Sequence, residues 1–286
     1  MKPARSVGNA VITFLLILMG ILMFIPFWQI IVITFSGTQD YLTDPTHLIL
    51  RNFDASVIGS IMKTASLQRG IFTSICITAA GLLFSMFLTL AGAYPLAHKQ
   101  LPGRKVVLTM MIVTMYFNGG IISMYVLLRR LDILNTYAAL VLPYAVNTFY
   151  LMLVKNYMTS LSPEMEEAAK IDGCNDIQIL VRIIIPLCKP VLLTVGMFYV
   201  VYYWNDYFSA MMYIDSNEMY PLSLILRNVV ISREMAISSL AAAGGSNPTE
   251  QYTKAMILVS MLPVLALYPF IQRYFTSGIM VGALKD

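Results

Sequence analysis

Tyr199, Tyr203, Asp206 and Tyr207 recur at i, i+4, i+7 and i+8, a spacing that stacks three phenols and a carboxylate on one helix face. Aromatic faces beside an acid suit the rings and hydroxyls of a sugar, so this face can line a substrate path. The same residues, with Trp204, also fit an aromatic belt at a membrane interface, with Asp206 reaching headgroups or a neighbouring helix. Both readings stay open on spacing alone. Tyr144, Asn147 and Thr148 form a second polar face, where an interhelical hydrogen bond from Asn147 is the simpler use and sugar contact the other. A single intramembrane carboxylate has no second group with which to share acid/base work. His-Glu-x-x-His, a nucleophile elbow and Gly-x-x-x-x-Gly-Lys are absent from the sequence, so no catalytic residue is expected and the chain is read as a non-enzyme. Cys76, Cys174 and Cys188 are too scattered for a disulfide framework and lack metal-ligand spacing with His47 or His98, so no metal and no cofactor are expected.

The elements that must position these residues are membrane spans. Of 286 residues, 58% are hydrophobic and 12% charged, and the mean hydropathy is +0.72. An ordinary soluble globule carries about twice that share of charge. Uncharged runs long enough to cross a bilayer predict an all-α integral membrane protein of one domain, residues 1–286, with six spans at about 11–35, 71–97, 106–128, 134–154, 190–214 and 255–272. The first run is too long for the apolar core of a cleaved signal peptide and has no small-x-small site, so it is read as a retained span. Lys2, Arg5, Lys99, Arg104, Lys105, Lys155, Lys170, Arg182, Lys189, Arg273 and Lys285 gather on one side, which predicts a multi-pass protein with both termini cytoplasmic. Arg129 and Arg130 oppose that bias. Residues 36–70 and 215–253 become outer loops. The net charge of +4 has no basic arm, so lipid rather than nucleic acid is the expected partner. Along the second span, Ser74, Thr78, Gly81, Ser85, Thr89 and Gly92 form a stripe of small residues, read as helix packing, with substrate lining the alternative.

Residues 160–189 read as two short cytoplasmic helices around a corner. Ser162 suits an N-cap, Pro163 the first helical position, and Glu164, Glu166 and Glu167 the positive end of the helix dipole. Gly173 can end that helix at positive φ, and Asn175 or Asp176 can open a second whose Ile177, Leu180, Val181 and Ile184 form an apolar stripe. A capped helix held at the membrane base transmits force better than a loose loop.

Here the sequence resembles a known family. Glu167-Ala168-Ala169, Gly173, Ile183 and Ile185-Pro186 are similar in spacing to the Glu-Ala-Ala loop of ATP-binding-cassette importer permeases, although that family usually has Leu where Ile185 stands. Pro26-Phe27-Trp28, Leu101 to Lys105, Asn118 to Ile122, Leu134-Asn135-Thr136, Tyr203-Trp204-Asn205 and Gly278 to Ala283 extend the resemblance over nearly the whole chain, toward maltose-type permeases for complex oligosaccharides. The resemblance implies the type I importer permease architecture in a bacterial cell membrane. It also implies a second homologous permease, two ATPase subunits that bind ATP and Mg, and an extracytoplasmic sugar-binding protein. Glu166, Glu167, Ala168, Ala169, Asp172, Gly173, Ile183 and Pro186 would couple to the ATPase. In such permeases residues 215–253 can enter the binding protein and the tail, 278–286, can reach the ATPase pair. The competing reading is a secondary transporter or channel driven by an ion gradient through Asp206.

Overall fold

The computed structural model describes residues 4–37, 40, 41, 44, 46–240 and 250–266, with backbone alone for 4–7 and 233–240. Every extended element among them is helical; the sole β feature is an isolated bridge between Ser36 and Phe53. Two stretches are single helices apolar enough to cross a membrane: Gly8–Phe35, with mean hydropathy 2.7, and Ala65–Ala97, with 2.1. Three bent helix pairs, each counted as one crossing, bring the total to as many as five. The expected sixth span overlaps a helix over 250–266, and its remainder, 267–272, lies outside the described residues.

One compact unit comprises residues up to 68 and 225–263. Its first helix, α1 (Ala4–Phe35), is apolar all round, and side chains from Val11 to Trp28 lie open. A helix without a polar face is stable in that state only in lipid or against another apolar surface. The following segment is held against α1's end rather than looping freely. Trp28 Nε1 donates to the Leu48 carbonyl at 2.9 Å, Phe35 stacks on Phe53 at 5.1 Å, and α2 (Ser56–Met62) packs against α1. Gln251, near the start of helix 250–266, donates to the Ser36 carbonyl at 2.9 Å, so the end of α1 is fastened from the far end of the sequence.

The other unit comprises 69–224 and 264 onward. Its long helix is α3 (Ala65–Ala97), followed by α4 (Arg104–Tyr116) and α5 (Gly120–Arg130). The third expected span is not one rod: α4 and α5 meet at 114°. Gly120 adopts φ +80° there and the Asn118 side chain accepts its N–H at 2.9 Å, a turn that a hydrophobicity profile does not register. The fourth expected span is also broken, by 50°, between α6 (Ala138–Val141) with its 3₁₀ turn Leu142–Tyr144 and α7 (Thr148–Thr159).

Two short helices, α8 (Glu164–Ile171) and α9 (Asp176–Ile179), follow, then a π-helical turn Leu180–Ile184 and one further turn Ile185–Leu187. The chain bends by 83° into α10 (Lys189–Asn205). Past Asp206, α11 (Phe208–Tyr213) is separate, so the fifth expected span is two helices as well. The expected outer loop 215–253 contains α12 (Leu222–Leu240), a helix of 19 residues. Its mixture of Ser, Arg, Asn and Glu with Leu and Ile hides it from a search for uncharged runs.

Candidate functional site

α8 and α9 are each locked by local chemistry. At the end of α8, the Gly173 N–H donates to Lys170 O at 3.1 Å and the Cys174 N–H to Ala169 O at 3.0 Å, with Gly173 at φ +81°. That pair of bonds is a Schellman motif, and its left-handed residue is the glycine the sequence predicts. α9 opens with a reciprocal capping box: Asn175 Oδ1 accepts the Gln178 N–H at 2.9 Å, and Gln178 Oε1 accepts the Asn175 N–H at 3.0 Å. The start of α8 differs from expectation. Pro163 occupies the capping position, and the Ser162 side chain makes no capping bond; only its carbonyl is used, by Met165.

The π-turn precedes Pro186, which has no N–H and whose ring would crowd the carbonyl four residues earlier in a regular helix. One side of the segment is anchored: Ala169, Ile179 and Ile184 are buried, and Leu180, Ile183 and Ile185 pack against the core. The opposite side displays Ile171 at 87% exposure, Ile177 at 74% and Val181 at 54% among Glu167, Asp172 and Asp176. Ile177 and Val181 therefore leave the apolar stripe that periodicity assigns them, and Ile179 takes their place.

His98, just past α3, is the residue sequence reasoning passes over. Its Nε2 lies 2.7 Å from Glu166 Oε2 and its Nδ1 2.9 Å from the Tyr94 carbonyl. Beside this contact is a cleft of about 460 Å³ whose lining includes Lys99, Ser162, Glu167 and Lys170. The partners are 68 residues apart, so no local pattern reveals them.

The small-residue stripe of α3 packs against α10. Ser85 Oγ and Tyr203 Oη are 2.9 Å apart, Thr89 Oγ1 and Tyr199 Oη 3.0 Å, and all four side chains are buried. A Cβ at Gly81 would fall 2.6 Å from the Tyr203 ring, so the glycine creates the space that the ring fills. Farther along, Ser74 Oγ accepts the Leu222 N–H at 2.8 Å.

The face proposed for Tyr199, Tyr203, Asp206 and Tyr207 does not exist as one surface. Asp206 has φ −72° and ψ 93°, outside the helix, and its Oδ1 accepts the Ser209 N–H at 3.1 Å as a cap on α11. Tyr207, beyond that break, is 42% exposed, whereas Tyr199, Tyr203 and Trp204 are buried. An interfacial belt does not describe buried rings. Tyr144 sits before the break in the fourth span, its ring 5.4 Å from that of Tyr202. Asn147 sits at the break, where its side chain caps α7 through the Tyr150 N–H and its backbone N–H donates to Tyr199 Oη at 3.2 Å. Asn147 is exposed, and its side-chain oxygen is used locally rather than across to another helix. Among the described residues, no three of His, Cys, Asp and Glu converge where a metal ion could sit.

Residues 81–281 match the family model described as the binding-protein-dependent transport system inner membrane component. The chain belongs to this family. The match to this permease starts at Gly81, inside the stripe, and takes in the Ser85–Tyr203 and Thr89–Tyr199 contacts and both short helices. Protein LplC of Bacillus subtilis is 37% identical over 267 residues, covering 93% of this chain and 90% of the relative. The polygalacturonan/rhamnogalacturonan transport system permease protein YtcP of the same organism is 35% identical, covering 94% and 95%. Among solved structures, a chain from a bacterial ABC transporter involved in import of the acidic polysaccharide alginate superposes with a TM-score of 0.88 at 29% identity, covering 96% of this chain and 99% of that one. The protein is thus an inner membrane permease component of a binding-protein-dependent transport system.

One stretch of the permease that carried the resemblance has a visible structural task. Asn135, at φ +55°, offers one side-chain oxygen to the N–H groups of Asp215 and Ser216, each at 3.1 Å, and donates its own N–H to Tyr213 O. Asn tolerates the left-handed region better than other non-glycine residues. Residues 241–249 and the tail, 278–286, expected to meet partners, lie outside the described residues.

Proposed function

We propose that this permease is one of two homologous subunits that carry an oligosaccharide across a bacterial cell membrane by alternating access. It crosses six times, keeps both termini in the cytoplasm, receives sugar from an extracytoplasmic binding protein, and is driven by two ATPase subunits that hold the ATP and Mg. The observation that carries this reading is the segment 164–187. Ile171, Ile177 and Val181 stand open on a doubly capped element while its other side is buried, and the element bends directly into α10. Exposed apolar side chains interspersed in the chain with exposed charged residues on capped short helices make a docking surface. Glu166, Glu167, Ala168, Ala169, Asp172, Gly173, Ile183 and Pro186 form or support it. Tyr144, Asn147, Tyr199 and Tyr203 hold helices around the path; Asp206 and Tyr207 mark the break beyond α10, where substrate enters or leaves.

A uronate-bearing oligosaccharide is the substrate class we favour. YtcP is named for polygalacturonan/rhamnogalacturonan and the superposed transporter for alginate, and the basic pair Arg129 and Arg130 ends α5. The test is reconstitution with binding protein and ATPase. Glu167→Ala or Gly173→Val should abolish binding-protein-stimulated ATP hydrolysis and uptake with insertion unchanged. Normal coupling in both variants would refute the docking role. Competition of uptake by oligogalacturonate but not by neutral oligosaccharides is the expected substrate result.

A further inference from the structure

Both ring nitrogens of His98 face oxygens. Nδ1 meets the Tyr94 carbonyl, which only accepts, so Nδ1 must donate. Nε2 meets Glu166 Oε2 at 2.7 Å, a separation that two lone pairs cannot hold. Either an imidazolium donates to the carboxylate or a protonated carboxyl donates to the ring, and both arrangements place one proton between the two side chains. The contact is therefore proton-dependent by donor count alone.

Its place in the fold gives that proton something to control. Glu166 lies in the first turn of α8, and His98 follows directly on α3. The turn after α3 is itself fixed: Arg104 Nε donates to the Leu96 carbonyl at 2.9 Å and Gly103 adopts φ +74°. α3 is bonded to α10 through Ser85 with Tyr203 and Thr89 with Tyr199. α10 in turn runs back through the 83° bend to α9 and α8. The result is a closed brace, in which a movement of α8 reaches α3 by His98 and α10 by the chain. Without His98, α8 reaches α3 only indirectly, through α10.

We propose that His98 is the positioning residue that ties the ATPase-coupling helix to α3, and that the tie is made when the His98–Glu166 pair holds its proton. This rests on the coupling role proposed above for 164–187. The surrounding charges are mixed. On the cleft, Lys99 flanks His98 and α8 contributes Glu167 and Lys170; Arg104 reaches the end of α3 from α4. From α9, Asp176 pairs with Lys170 at 3.7 Å, and on α3 the Tyr94 ring meets the His98 ring edge-on at 4.8 Å. The direction follows from the donor count: the tie is present at lower pH and is lost when the pair gives up its shared proton.

The test uses the reconstituted importer and two variants. His98→Ala removes the tie, while His98→Gln keeps a neutral donor for Glu166 that does not titrate. Coupled ATP hydrolysis by His98→Ala is expected to fall on the order of fivefold to tenfold at the low end of a pH series, because a charge-assisted bond at a partly exposed site is lost. It should then converge on wild type as the pH rises. His98→Gln should restore most of the activity and show a flatter pH profile than wild type. Amide hydrogen exchange over 164–171, read in detergent without ATP, should be faster in His98→Ala than in wild type at low pH and equal at high pH. Parallel pH profiles in wild type and both variants, with unchanged exchange, overturn the proposal. Exchange that responds while coupling does not leaves the tie intact and defeats the coupling role of 164–187. If His98→Ala fails to assemble, the His98→Gln profile decides.

Discussion

A methyl group at position 81 would lie 2.6 Å from two atoms of the Tyr203 ring and 2.7 Å from a third, closer than packed carbons approach, whereas one at position 196 would meet Leu82 at 3.6 Å and Met86 at 3.9 Å, ordinary contact. Gly81→Ala must therefore push α10 away from α3, and we expect it to destabilise the protein by about 1–3 kcal/mol. Gly196→Ala keeps the packing and gains helix propensity, so it should be neutral or stabilising by up to about 1 kcal/mol. Thermal unfolding in mild detergent separates the two; equal effects would mean that the Tyr203 ring does not fill the space above Gly81. The stripe that holds Gly81 is readable from the sequence, because small residues at helical spacing permit close approach whatever lies opposite. What lies opposite is not readable. Tyr199 and Tyr203 are 110 and 118 residues from Thr89 and Ser85, and in the sequence they look equally suited to a ligand. His98 is less legible still, since one histidine and one glutamate carry no pattern until the chain brings them together.

At the scale of elements, helix ends inside apolar runs decide what the spans look like. Asn175 carries one half of a two-bond capping box, and Asn175→Ala should cost about 1 kcal/mol or more of local helix stability and lower coupled ATP hydrolysis. Asn175→Ser should retain most of it. The capping pattern around Gly173 and Asn175 is legible because it lies in a polar segment, where Gly, Asn and Asp have few other uses. The breaks at Asn147 and Asp206 are hidden for the opposite reason. Surrounded by apolar residues, each appears to be a polar member of a continuous face, and periodicity extended across the break assigns Tyr207 to a surface it does not share. Asp206 separates capping from ion coupling experimentally. Asp206→Asn keeps the oxygen that accepts the Ser209 N–H and should keep uptake, while Asp206→Ala should lose about 1 kcal/mol of cap. Uptake lost in Asp206→Asn, which keeps the cap but cannot titrate, would revive a titrating role.

At the scale of the molecule, hydropathy and charge bias predict six crossings, whereas among the described residues two are continuous apolar helices and up to three more are bent pairs. The native cysteines provide a test of the side on which 160–189 lies without changing a residue. Cys174 follows Gly173 and is half-buried, Cys188 is buried at the bend into α10, and Cys76 lies in the apolar run of α3. Burial pushes the Cys188 thiol up to about 11. Only the thiolate reacts, so at pH 8 about one molecule in a thousand is reactive there, quite apart from its inaccessibility. A membrane-impermeant maleimide should therefore label Cys174 in inside-out vesicles, spare it in intact cells, and reach Cys188 only after denaturation. Cys76 is exposed on an apolar helix long enough to cross a membrane, so lipid should shield it from the reagent. Bound ATPase should further slow the labelling of Cys174, which lies in the corner between the two short helices. Labelling of Cys174 in intact cells would put both short helices outside, on the side without ATP, and the six-crossing arrangement with its inward docking surface would have to be abandoned together.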